Sequence, residues 1–468
     1  MNHQSLHKPG FVQETGLPIL EPLLDPVIRS LTAEQQSKLH DWVGAYGSPL
    51  NAVFPHTIGI NHARLAGVLD AHAVKSKIFY AAKVNKSHSL VAEAVQCGLG
   101  VDVSSRFELR DALDAGCAGS DICASGPAKD DVFHRELIAV NALISIDLAE
   151  ELEDLLALLT DELSGTKTRI LLRFRPTSNK HSRFGIPHEQ LHACLQVVAQ
   201  NTDRLAFEGL HFHLGGYQAD NRVEALIELS DWIMVAREYG LCVEMVDIGG
   251  GLPIRYLDAD TYADFIDAQK SSHYRNGKVP GSYYPYGGPN EADDWLDQFL
   301  SATGPSGKSV AQYLNDEGIT LALEPGRSLV DQSAITVFRI ARTKRQPDGS
   351  FVLFVEGSSF SACETWFASE FLIDPILVPA ANSTREQGGP VRAYIAGHSC
   401  LEEDVITNRL LPFPFQPLAG DLLVYANTAG YQMDLLENEF HRVPMPRRVS
   451  ISADLATVQP DDHKGASR

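Results

Sequence analysis

The sequence predicts an α/β protein built on a (β/α)8 barrel and followed by an all-β domain. Three observations carry this expectation. Between Lys77 and Leu323, short apolar strands alternate with helical patterns eight times, and eight such units over about 250 residues have the size and repeat of a (β/α)8 barrel. The polar residues of the region gather at the carboxyl ends of these strands, the face on which such barrels carry their sites. After about Arg342 the long helices stop and short apolar strands with turns take over, the pattern of an all-β domain.

In chain order, residues 1–50 form a lead-in segment that can pack on the β domain, with Pro18, Pro22 and Pro26 ahead of a helix expected over Thr32 to Tyr46, opened by a Thr-x-Glu start signal. Apolar residues recur at helical spacing from Asn61 to Ala73. The barrel strands are then Lys77–Ala82, Gly100–Ser104, Ile122–Ser125, Ile144–Asp147, Arg169–Arg175, Leu210–Leu214, Cys242–Ile248 and Thr320–Leu323, with helices such as Ser89–Cys97, Ala149–Leu159, Glu189–Gln200 and Arg222–Tyr239 between them. The barrel domain is bounded at 51–342. An insertion at about 271–308 interrupts it, holding the Pro- and Gly-rich run Tyr283 to Pro289 and a short helix at Ala292 to Leu300; it reads either as a cover for the site or as a solvated loop. Residues 343–468 form the β domain, with strands at Phe351–Val355, Val391–Ala396, Asp421–Ala426 and Arg448–Ile451, and a polar tail from Thr457.

Composition narrows the class. A chain of 468 residues that is 44% hydrophobic and 21% charged is globular and long enough for two domains. Its net charge of −21, from 39 basic and 60 acidic residues, argues against nucleic acid or an anionic membrane as the main partner. No apolar run approaches the roughly 20 residues needed to span a bilayer, and the amino terminus lacks the order of a signal peptide. The expected location is the cytoplasm. Seven cysteines without a CxxC pair suit reduced thiols.

The chemistry starts at Lys83. Ile78 to Ala82 is an apolar run too short for a helix, and it ends on a lone cation. A lysine leaving a buried strand is partly desolvated, which lowers its pKa and prepares the amine for a Schiff base with a carbonyl; a lysine snorkelling to the surface is the alternative. The other strands end on Asp102 and Ser104, on Arg173 and Arg175, on His211 and His213, on Gly249-Gly250-Gly251 and on Glu324-Pro325-Gly326-Arg327. Three glycines let backbone amides approach a guest closely, and Arg327 beside them suggests phosphate. A Schiff-base lysine with a phosphate cradle is what pyridoxal 5'-phosphate requires. Glu324 is then placed to keep the pyridine nitrogen protonated, or else to pair with Arg327. His213 can stack on the ring or hydrogen-bond within the barrel. His211 and His213 face one way, as metal ligands would, but the sequence offers no third ligand nearby.

Taken together these residues resemble the fold-type III pyridoxal phosphate decarboxylases, the group of diaminopimelate, ornithine and arginine decarboxylases and, more distantly, alanine racemase. The resemblance runs from about Gly47 to Phe440. It rests on Tyr80 to Asn85, Gly126 to Lys129, Arg183-Phe184-Gly185, His211-Phe212-His213, Asp247 to Pro253, Glu324 to Arg327, Gly397 to Cys400 and Ala429-Gly430-Tyr431. It implies an alanine racemase-like barrel with a β domain, and Lys83, Cys400, Glu324 and His213 as the catalytic residues. The implied cofactor ligands are Lys83, Asp102, Arg173, His213, Gly216, Gly249, Gly250, Gly251, Glu324, Gly326, Arg327 and Tyr431. It also implies a homodimer with shared sites, in which Cys400 of one chain protonates the substrate α-carbon in the other.

Three positions depart from the family pattern. Gly216 replaces a serine that contacts the phosphate, and Leu401 replaces the acidic residue that receives the distal end of the substrate, with Glu402 and Glu403 following. Cys363 to Phe367 contains no arginine, where diaminopimelate decarboxylases carry one. The expectation is a carboxy-lyase acting on an amino acid or a carboxylated amino-acid conjugate. The rivals are a racemase or epimerase and a non-catalytic cofactor-binding barrel. Racemases of this fold tend to place an arginine at the pyridine nitrogen, so Glu324 argues against the first; intact Lys83, Glu324 and Cys400 argue against the second.

Overall fold

A computed structural model of the chain describes residues 16–161, 167–281, 284, 286–361, 371–381, 389–435 and 440–461. The chain divides into two compact units. One is formed by Met1–Thr57, Ile254–Pro289 and Asp331–Arg468, the other by Ile58–Pro253 and Asn290–Val330.

The first strand, β1 (Leu50–Val53), belongs to the former unit. The next eight are β2 (Ser76–Ala81), β3 (Gly100–Val103), β4 (Ile122–Ala124), β5 (Leu143–Ile146), β6 (Thr168–Arg173), β7 (Leu205–His211), β8 (Met245–Asp247) and β9 (Thr320–Leu323), and they close into a parallel barrel in chain order. Each overlaps an expected strand, because a parallel strand covered on both faces reads as a continuous apolar run. Phe79, Cys123, Leu143, Leu171 and Ala322 pack together inside as a filled core layer. Towards the carboxyl ends the lining turns polar: Ala81 is in register with Asp102, Arg173 with His211, and His211 with Asp247.

One strand differs from its expected span. β7 begins at Leu205 and ends at His211, so His213 lies beyond the strand rather than in it. Phe212 still donates its N–H to Asp247 O at 2.9 Å, which holds the chain along β8 for one more residue before the loop departs.

The other unit carries a nine-stranded sheet. Its remaining strands are β10 (Ala334–Arg345), β11 (Phe351–Val355), β12 (Ile376–Val378), β13 (Val391–Ala396), β14 (Val405–Phe413), β15 (Leu422–Ala426), β16 (Arg447–Ile451) and β17 (Val458–Pro460). The order is β14-β13-β11-β10-β1-β16-β17, with β15 pairing β10 and β12. The expected single helix over Thr32 to Tyr46 is two, Pro26–Ala33 and Gln36–Tyr46. The true start is Asp25, whose carboxylate caps Val27 N ahead of a proline at the first helical position. Thr32 sits inside the helix, its hydroxyl bonded back to Ile28 O at 2.9 Å. Ile28, Leu31, Leu39, Trp42 and Val43 of these helices pack on Leu50, Ile335, Val337, Val424 and Val449 of the sheet.

The observed division departs from the expected 51–342 boundary. The segment Ile254–Pro289 joins the β unit, where Ile254, Tyr256, Leu257, Phe265 and Tyr286 enter its core beside Phe338, Phe371 and Tyr425. The expected insertion is therefore divided, its helix Ala292–Ser301 staying with the barrel. Tyr283 lies outside the described residues, as do 362–370, which hold the Cys363 to Phe367 segment.

Candidate active site

Lys83 stands two residues past β2, in a single 3-10 turn Ala82–Val84. Its Nζ donates to Asp102 Oδ2 at 2.9 Å, and the side chain is about a third exposed, whereas Asp102 is fully buried on β3. Asp102 is fixed in turn by Ser125, which donates from Oγ at 2.6 Å and from N at 3.2 Å to Oδ1. The lysine is held by a buried carboxylate at the barrel mouth, not released along the surface.

Arg173, at the end of β6, donates to Asp147 Oδ1 at 2.9 Å, and its guanidinium lies 4.9 Å from the Phe184 ring centroid. Gly185 N reaches the same Asp147 oxygen at 3.1 Å. Beside them Lys129, with no exposed side-chain surface, is paired to Glu151 at 2.8 Å and donates to Gly126 O and Ser145 O. These buried pairs fix the loops after β4, β5 and β6 in a low-dielectric setting where a lost partner is costly.

The centre of the site is Glu324, immediately past β9 and buried. Its Oε1 lies 3.7 Å from His211 Nε2 and its Oε2 lies 3.6 Å from His213 Nδ1, and neither oxygen has a hydrogen-bond partner among the described residues. His211 is bonded through Nδ1 to Ser145 Oγ at 2.7 Å, and burial holds its imidazole well below the usual range, hence neutral. His213 Nδ1 accepts from Gly250 N at 3.3 Å, so that nitrogen carries no proton to give Glu324. Burial opposes charge on Glu324, yet the polar Nε2 edge of His211 and the Lys83 ammonium outweigh it and hold the carboxyl well below the usual carboxylate range. Neighbouring Asp247 goes the other way. Burial and the Glu324 charge hold its carboxyl well above the usual range, with Oδ1 accepting from Gly249 N at 2.8 Å. The result is one ionised, donor-starved carboxylate inside the mouth of a barrel, an arrangement that selects a guest with an N–H+ to offer.

Glu324 is also the third metal-ligand donor that sequence spacing left unfound for His211 and His213; the three ligand atoms lie within 4.8 Å of one another. The His213 nitrogen in that group is already engaged by Gly250 N, which sets the arrangement apart from an open metal site.

The glycine run is a steric requirement. A Cβ on Gly249 (φ +69) would fall 2.4 Å from His213 Nδ1, one on Gly250 2.5 Å from Glu324 O, and one on Gly251 3.0 Å from Gly216 O. Arg222 enforces the same closeness from behind. Fully buried in the helix Ala219–Glu238, it donates to Leu214 O at 2.6 Å and Gly250 O at 3.3 Å, and more weakly to Gly215 O and Gln218 O. Its face rests over Trp295, and burial pushes its pKa down to about 10, still a cation at neutral pH. Arg327 donates from Nη1 to the Tyr217 hydroxyl at 3.1 Å, and Gly326 O accepts from Leu329 N at 3.0 Å in the turn beside it. Sequence reasoning missed Arg222 and Tyr217. The first was read as an ordinary start of an amphipathic helix, and the second follows a Gly-Gly pair that carries no periodic signal.

Of the residues singled out from sequence, Lys83, Asp102, Arg173, His213, Gly216, Gly249, Gly250, Gly251, Glu324, Gly326 and Arg327 belong to the barrel unit. Cys400, Leu401, Glu402 and Tyr431 belong to the β unit. Cys400 is an exposed thiol whose N–H donates to His441 Nε2 at 3.2 Å. Its loop is held by buried Asp404, which accepts from Ser359 N at 2.7 Å and Ser399 N at 3.0 Å. Leu401 is exposed, and Glu402 is ion-paired with Arg275 at 3.0 Å. Tyr431 follows β15 in a turn with φ 72°.

Comparison with known proteins agrees with this geometry. The sequence pattern described as "Pyridoxal-dependent decarboxylase, pyridoxal binding domain" matches residues 59–279. An uncharacterized protein of Sinorhizobium fredii is 55% identical over 92% of this chain and 94% of its own length. The diaminopimelate decarboxylase of Synechocystis is 26% identical over 89% of this chain and 84% of its own. The crystal structure of diaminopimelate decarboxylase from M. jannaschii with L-lysine superposes with a TM-score of 0.70 at 19% identity, covering 91% of each chain. With its closed barrel, its β unit and a lysine, a carboxylate and a glycine cradle at the barrel mouth, the chain belongs to the fold-type III pyridoxal phosphate-dependent decarboxylases, on the diaminopimelate decarboxylase branch.

Proposed function

We propose that the protein is a pyridoxal phosphate-dependent carboxy-lyase that removes the α-carboxylate of an amino acid or of a carboxylated amino-acid conjugate, and works as a homodimer. The observation that carries the reading is Glu324, a buried ionised carboxylate with no hydrogen-bond donor on either oxygen among the described residues. The residues present fit the cofactor: the cradle at Gly249 to Gly251 excludes any Cβ, and Glu324 has an unmet need for an N–H+. When bound, the cofactor supplies an electron sink for the pair left at the α-carbon as CO2 departs.

The chain's own groups take the remaining roles. Lys83 offers the amine that joins the cofactor aldehyde. Glu324 keeps a proton on the pyridine nitrogen, and His213 backs the ring. Gly216, Gly249, Gly250, Gly251, Gly326, Arg327 and Tyr431 receive the phosphate, while Asp102 and Arg173 hold the ring side of the mouth. Cys400 of the second chain gives its proton to the α-carbon, beside Leu401 and Glu402 at the distal end of the substrate.

The shared site has a direct test. Lys83→Ala chains and Cys400→Ala chains are each expected to be nearly inactive alone. After mixed refolding, half of the dimers carry one intact site, so about a quarter of wild-type activity returns. If the mixture stays inactive while both variants remain dimeric, the partner role of Cys400 fails.

The substrate differs from meso-diaminopimelate in this reading. Leu401 offers no charge to a distal amine, Cys363 to Phe367 holds no arginine for a distal carboxylate, and Glu402 is already engaged by Arg275. A charged end left unpaired in a buried pocket costs about 3–5 kcal/mol. CO2 release from meso-diaminopimelate is therefore expected to be poor, and a screen over diamino acids and carboxylated conjugates should find a better substrate with a less charged end or one met by Glu403. A kcat/KM of about 10⁴ M⁻¹s⁻¹ or more on meso-diaminopimelate overturns this specificity.

A further inference from the structure

The loop 214–218, between β7 and the helix Ala219–Glu238, presents one side-chain hydroxyl. Gly215 and Gly216 are exposed, with nothing within 4 Å of where a Cβ would stand. Gly216 has φ +79°, a conformation that strains any residue with a side chain, so this backbone is not shaped to carry a serine there. The next residue is Tyr217, half-buried, whose hydroxyl accepts from Arg327 Nη1 at 3.1 Å. A phenol that accepts from a guanidinium has its oxygen held by that bond and carries a proton of its own.

The loop is also fastened to the glycine run. Arg222 donates to Leu214 O and Gly250 O, and more weakly to Gly215 O and Gln218 O, so one buried guanidinium spans both sides of the cradle. Its Nη1 and Nη2 both donate to backbone carbonyls. Anion recognition is left to Arg327, to the amides of the two loops and to the hydroxyl that Arg327 holds.

We propose that Tyr217 is a phosphate ligand of the cofactor site, its hydroxyl serving in place of the serine that Gly216 replaces and acting as a pair with Arg327. This rests on the pyridoxal phosphate reading above. Arg222 is a positioning residue in this arrangement, since it touches the loops and not the ligand.

The test compares two ligands on the full-length apoprotein: pyridoxal 5'-phosphate and pyridoxal, which lacks the phosphate. Binding is measured by fluorescence titration, independently of turnover. For Tyr217→Phe, the dissociation constant for pyridoxal 5'-phosphate is expected to rise by about tenfold to a hundredfold, the worth of a hydrogen bond to a charged group. That for pyridoxal should be unchanged. Wild-type affinity for the phosphate form in the variant overturns the proposal, and so does an equal loss for both ligands, which would mean the ring only shapes the loop. If the wild-type protein itself binds the phosphorylated form no better than pyridoxal, the cofactor reading fails as well, and the two failures are told apart by the wild-type titration alone.

Discussion

Lys83→Ala is expected to abolish decarboxylation, by about 10⁴-fold or more, as loss of a covalent nucleophile does, while the fold survives. Its lost partner, Asp102, keeps the bonds from Ser125 Oγ and N, so the buried carboxylate is not stranded. Borohydride reduction of the wild-type holoprotein should fix the cofactor to Lys83, and peptide mapping should find it there. Cofactor fixed to another lysine in the variant, with activity retained, would show that the amine at the mouth of β2 is not the one used.

Glu324→Gln is the second large effect. The two side chains have nearly the same shape, so what is lost is the negative charge proposed to keep a proton on the ring nitrogen. Turnover should drop by about 10²–10³-fold, the range for removing one preorganised electrostatic contact, with substrate affinity close to wild type. An interaction used mainly in the transition state shows this split. Loss of affinity with turnover unchanged would place Glu324 in binding alone. The neighbours make the substitution readable. His211 is tied to Ser145 and His213 to Gly250 N, so both rings keep a partner when the carboxylate is gone.

The barrel was legible because its strands are covered on both faces and announce themselves as unbroken apolar runs. The polar lining of the candidate site was legible for the same reason, since a polar residue at the end of such a run stands out, as Lys83, Asp102, Arg173 and Glu324 do. Among the described residues, the sheet of the other unit was legible only in part. β1 has four residues and pairs with β10 across the whole barrel sequence, Leu50 opposite Val337. The local pattern of 254–289 reads as a loop of the barrel, yet Tyr256 and Tyr286 stack at 5.0 Å in the core of the β unit.

What the sequence by itself determined is the period of each barrel element and the residue type at each strand end, because both depend on neighbours within a few positions. What only the tertiary structure decided is which distant groups meet. Arg222 reaches Gly250 and Arg327 reaches Tyr217 across loops that carry no shared pattern. The left-handed backbone at Gly216 depends on the loop around it. The ionised state of Glu324 beside a neutral His211 depends on burial and on charges brought from other strands. Such long-range pairings are selected by packing and by the cost of leaving a buried polar group without a partner, and neither is written in any local stretch of the chain.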